Sequence, residues 1–156
     1  MFNIHDICDY IILRLRAEEG SDLNHLKLQK LLYYSQAWYL AFGFGSLFNG
    51  KFQAWIHGPV NRDVYNRFRD TKYMYSDVGI NDVINQNVVN ELNSQAKMHI
   101  DTILDSYAKY TPSQLEAMTH EEDPWILARK GFGENQRCEV EIDEKLMEQY
   151  YKQRLS

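Results

Sequence analysis

The sequence predicts a mainly α, compact single-domain fold around a central buried helix, with a small two-stranded β element. Three observations predict it. Apolar residues recur at helical spacing in several segments separated by capping residues, prolines and glycines. One of those segments, Asn24 to Phe42, is apolar nearly all round, the mark of a central helix. Only two stretches, near Phe52 to His57 and Cys138 to Ile142, alternate with the period of a strand. A length of 156 residues suits one domain, 1–156, with one substantial core.

The first helix carries Ile4, Ile7, Cys8, Ile11, Ile12 and Leu15 at helical spacing, with Asn3 as N-cap and Gly20 as a stop. In the second, Leu28, Leu31, Leu32, Ser35, Trp38 or Tyr39, and Phe42 share one face, and Leu26, Tyr33, Ala37 and Leu40 cover another. Its two charges, Lys27 and Lys30, lie in the opening turns, so that end is expected to reach solvent. The Phe52–His57 strand should end at Gly58-Pro59. Pro59 suits the first position of a third helix, where Val60, Val64 and Phe68 face inward and Arg62, Arg67, Arg69 and Lys72 face outward. Tyr73 to Asn87 is mixed and polar, as in a mobile connection. Helical spacing returns at Leu92, Ala96, Ile100, Ile103 and Tyr107. Thr111-Pro112-Ser113-Gln114 is a capping box, and Asp123-Pro124-Trp125 repeats the cap-plus-proline device. The Cys138–Ile142 strand could pair with the first, and Asp143 should cap a terminal helix with Leu146, Met147 and Tyr150.

The chain is 44% hydrophobic, 13% aromatic and 25% charged, which fits a folded chain rather than a disordered one. Its 17 Lys and Arg against 22 Asp and Glu leave a net charge of −5, so binding a polyanion is not expected as its main purpose. Two distant cysteines, Cys8 and Cys138, and a start without a basic and apolar leader point to the cytoplasm. The charge-free run from Leu31 to Gly50 is broken by Ser35, Gln36, Gly43, Gly45 and Asn49, and reads as a buried helix rather than a membrane span.

No catalytic or metal-binding constellation emerges. His5, His25, His57, His99 and His120 fall in five separate elements, so neither a metal nor another cofactor is expected. Cys8 lies on an apolar helix face, where a thiol packs as a small hydrophobe. Gly43-Phe44-Gly45 follows a helix and precedes none, the reverse of a phosphate cradle. General acid and base chemistry by His57, His120 and Glu122 requires the turn after the first strand and the loop before Asp123 to meet in one cleft. Trp55, which alternates away from Phe52, Ala54 and Ile56, has the composition of a binding hot spot when Arg and Tyr lie nearby.

Three separated motifs carry a family resemblance. They are Lys27-Leu28-Gln29-Lys30-Leu31-Leu32-Tyr33-Tyr34-Ser35-Gln36-Ala37-Trp38-Tyr39-Leu40, then Phe52-Gln53-Ala54-Trp55-Ile56-His57-Gly58-Pro59-Val60 with Val64-Tyr65, and Ser113 to Leu115 with His120 to Arg129 around Pro124-Trp125. Together, in this order, they resemble the Panacea-domain family of SocA-like, phage-associated antitoxins. The resemblance implies a non-enzymatic protein that binds and neutralises a toxin encoded by an adjacent gene in a bacterial genome, prophage or phage. Occlusion of the toxin, trapping of an inactive state and delivery to a protease are all compatible with it, and so is a homo-oligomer. Within the motifs and the helix that follows, the expected partner-binding residues are Lys27, Lys30, Trp55, His57, Arg62 and Arg69. Two other readings compete: a small hydrolase or transferase built on His57, His120 and Glu122, and a nucleic-acid-binding regulator using the Arg62 to Lys72 face. No helix-turn-helix extension is recognisable.

Overall fold

The computed structural model describes residues 1–18 and 20–155. Side-chain caps fix most of the helix starts. Asn3 accepts from His5 N to begin α1 (Ile4–Arg16), and Asn24 accepts from Lys27 N to begin α2 (His25–Ala41). After a hairpin of β1 (Gln53–Trp55) and β2 (Gly58–Val60) comes α3 (Arg62–Phe68), capped by Asn61. A 3-10 turn at Ile80–Asp82 and the short α4 (Val88–Glu91) lead to α5 (Ser94–Tyr107), capped by Asn93. The chain continues through α6 (Pro112–His120), α7 (Asp123–Ala128) and α8 (Glu144–Lys152). The Thr111–Gln114 capping box is present, and Asp143 caps α8 through Lys145 N and Leu146 N.

All of α2 except Trp38 is buried. It packs against α1, α5, α6, α8 and β2, and the buried apolar side chains gather around it in one cluster. A helix so enclosed must satisfy its polar groups internally. Gln36 accepts from Leu47 N and donates to Phe48 O, while Gln29 exchanges hydrogen bonds with both backbone groups of Asn61. These two glutamines, two turns apart, hold the segments entering and leaving the hairpin.

The structure departs from the sequence expectations at six places. The strand partner of β1 is β2, not Cys138–Ile142, which touches the other edge of β1 through an isolated Gln53–Glu141 bridge. Ala54 N donates to Val140 O, away from its partner Pro59, so this is a non-hydrogen-bonded pair and the absent N–H of Pro59 costs nothing. Pro59 therefore sits in β2, and the third helix starts only after Asn61. Arg67 does not face outward: its side chain, 7% exposed, pairs with Asp9, 1% exposed. The Tyr73–Asn87 connection is tied down, because Val78 is buried, Arg16 Nε donates to Val78 O, and Asp9 accepts from Ile84 N and Asn85 N. Asp123 is the first residue of α7 and Glu122 takes the cap position. Lys27 and Lys30 do not reach solvent, being 1% and 0% exposed.

Candidate partner-binding site

The hairpin turn, Ile56-His57, requires glycine next to it. Gly58 has φ +97°, and a Cβ there would lie 2.7 Å from both Lys30 Cε and Thr119 Oγ1. This close approach lets Lys30 Nζ donate to Pro59 O at 2.9 Å and pins the hairpin onto α2. Burial pushes the Lys30 amine down to about 7, against the attraction of Glu116. Lys27 Nζ likewise turns inward, to Ala108 O at 2.7 Å and Asp22 at 3.0 Å. Both lysines bind the chain's own interior.

From the other side, α7 clamps β1. Trp125 Nε1 donates to Trp55 O and the buried Arg129 donates to Ala54 O, each at 2.8 Å. The Arg129 guanidinium also donates to Gly133 O and Gln136 O, which fixes the bend that returns the chain toward the hairpin. The result is a cavity of about 290 Å³ lined by Trp55, Ile56, His57, Arg62, Tyr65 and the 137–139 segment. Trp55 and Tyr65 meet edge to face with centroids 4.9 Å apart, and the Arg62 guanidinium lies 4.8 Å from the indole centroid. Both Arg62 and Arg137 donate to the same oxygen, Glu139 Oε1, and hold this exposed carboxyl below its ordinary value. His57, part-exposed, is paired through Nδ1 with Glu116 Oε1 at 2.9 Å.

Of the six expected partner-binding residues, the structure brings Trp55, His57 and Arg62 to this cavity. Arg69 stands exposed outside its lining, beside Asp70 and Asn66. Tyr65, Arg137 and Glu139 join the cavity without having been singled out from the sequence. Tyr65 stands three residues after Arg62 on one helix face, a signal that was available. Arg137 and Glu139 arrive from a distant segment and leave none.

No hydrogen bond joins the His57, His120 and Glu122 side chains among the described residues; His57 pairs with Glu116, whose charge also reaches His120, and Glu122 turns to Tyr34 and Tyr151. His120 stacks on Trp125 at 4.1 Å, leaving Nε2 buried without a partner. Glu122 accepts from Tyr34 and Tyr151 hydroxyls at 2.9 and 2.6 Å; burial raises its pKa, and these hydrogen bonds pull the other way. No described helix is long and apolar enough to cross a membrane.

Residues 28–126, from α2 into α7, match the family described as Antitoxin SocA-like, Panacea domain. The chain belongs to that family. Antitoxin SocA of Caulobacter vibrioides (strain NA1000 / CB15N) is 29% identical over 139 residues, covering 83% of this chain and 72% of the relative. No solved structure matches. In this SocA-like chain the family match includes Trp55, His57, Arg62 and Tyr65, whereas Arg137 and Glu139 lie beyond it.

Proposed function

We propose that this chain is a non-enzymatic antitoxin of the cytoplasm that neutralises a partner toxin, encoded beside it, by direct protein–protein binding. Membership of the SocA-like antitoxin family is the observation that carries this reading, because the match runs from the central helix through the hairpin, α5 and α6 into α7. The buried side chains form one core to which α8 contributes Met147 and Tyr151, which supports binding through a folded surface. A net charge of −5 suits covering a basic partner.

The test is growth of cells expressing the neighbouring open reading frame, with and without this chain, followed by co-purification. Rescue together with a stable complex is the expected result. A neighbour that is harmless alone, or harmful but unaffected by this chain, contradicts the reading.

A further inference from the structure

The guanidinium groups of Arg62 and Arg137 converge on one carboxylate oxygen, Glu139 Oε1. Among the described residues this is the only hydrogen bond either group makes, although each guanidinium carries five N–H donors. The cavity wall thus holds two arginines against one carboxylate, a local reversal of sign on a chain of net charge −5. Arg137, with 83% of its side chain exposed, presents its free donors outward. Beneath lie Trp55 and Tyr65, and the strand that carries Trp55 is held by Trp125 and Arg129. Trp, Tyr and Arg around a concavity are the residues that dominate binding energy at protein interfaces, and a wall already locked loses little freedom on binding.

We propose that this cavity is the toxin-docking hot spot and takes a carboxylate side chain of the toxin between Arg62 and Arg137, with an adjoining apolar toxin side chain against Trp55 and Tyr65. The proposal rests on the antitoxin reading above. Glu139 shows that a carboxylate fits the two guanidinium groups, and the donors it leaves unused supply paired contacts to a second one. The partner's acidic residue is a point of recognition on a surface that otherwise meets an acidic chain. Recognition of this kind sets specificity and association rate as well as affinity.

The experiment uses the full chain and the product of the adjacent gene, once that product has been shown toxic. Affinity is measured by calorimetry and neutralisation by growth, for wild type, Arg137→Glu, Trp55→Ala and, as a control outside the cavity, Arg69→Glu. Arg137 is exposed and Arg69 is exposed, so folding survives both changes, which circular dichroism checks. We expect a loss of at least about tenfold for Arg137→Glu and about thirtyfold for Trp55→Ala, with Arg69→Glu unchanged. Reversing one acidic toxin residue to Arg should restore binding to Arg137→Glu. If wild type binds and Arg137→Glu and Trp55→Ala stay within twofold of it, the cavity proposal falls while the antitoxin reading stands. Equal losses from Arg69→Glu and Arg137→Glu overturn it in favour of diffuse charge attraction. Binding of a short DNA duplex that Arg137→Glu abolishes overturns it in favour of phosphate. No complex with wild type removes both the antitoxin reading and the proposal.

Discussion

Replacing Arg67 with methionine should be among the most damaging single changes outside the apolar core. The Arg67 Nη2 donates to Asp9 Oδ1 at 2.5 Å and to Asp82 O at 2.9 Å, and Nη1 reaches His5 O at 3.3 Å. Removing the guanidinium leaves the Asp9 carboxylate, 1% exposed, with only Ile84 N at 3.2 Å and Asn85 N at 2.9 Å. Two carbonyls lose a donor as well. Breaking one side of a buried ion pair costs about 3–5 kcal/mol. At about 2–4 °C of melting temperature per kcal/mol for a chain of this size, that is a fall of roughly 6–20 °C. Urea unfolding followed by far-ultraviolet circular dichroism measures the loss, and hydrogen exchange should show amides of residues 82–88 opening first, because Asp9 and Arg67 tether that segment. The double variant Asp9→Leu with Arg67→Met should cost less than the sum of the two single changes by at least about 1.5 kcal/mol, since it leaves no lone buried charge. A loss under about 1 kcal/mol for Arg67→Met, or strict additivity, would refute the reasoning.

Two further outcomes concern pH. The folded-state value of Lys30 lies near 7, below its ordinary 10.5, so between these pH values the unfolded chain binds more protons and stability rises with pH. Between pH 7 and 9 wild type should gain roughly 2 kcal/mol relative to Lys30→Met in chemical denaturation; parallel curves would show that the amine is not desolvated as described. Above about pH 9 the Cys8 thiol, pushed up to about 12 from 9.0, lowers stability with rising pH in wild type and variant alike, so it leaves their difference unchanged. Glu122 is raised above its ordinary 4.5, so the folded chain holds the extra proton and stability falls as pH rises through that window. Glu122→Gln should therefore gain on wild type as pH increases above 4.5 in urea titrations, and a constant difference would count against a desolvated carboxyl.

Several helix starts were legible because the decisive chemistry is local. Asn3, Thr111 and Asp143 each satisfy amides within three residues, so the capping residue and its partner are written side by side, whereas Asn24, Asn61 and Asn93 act just as locally and were not read as caps. The near-complete burial of α2 was legible too, because apolar residues surround it on all sides. Pro59 was misplaced because its tolerance in β2 depends on which way Ala54 points its amide, a fact set by the 139–142 segment. The cavity beside the hairpin was half legible: Trp55, His57 and Arg62 stand close together in the sequence, while Arg137 and Glu139 are placed there by the bend that Arg129 holds.

The sequence by itself determined that the chain folds as a mainly helical protein around one enclosed helix, and where most helices begin, because hydrophobic period and caps act over a few residues. Tertiary structure alone decided the fate of its charges. Lys27, Lys30 and Arg67 look like solvent-facing residues on their own helices, yet the first two find carbonyl acceptors 81 and 29 residues away and the third a carboxylate 58 residues away. A charged side chain is buried only when a distant segment brings its partner to it, and no local pattern records which segment that is.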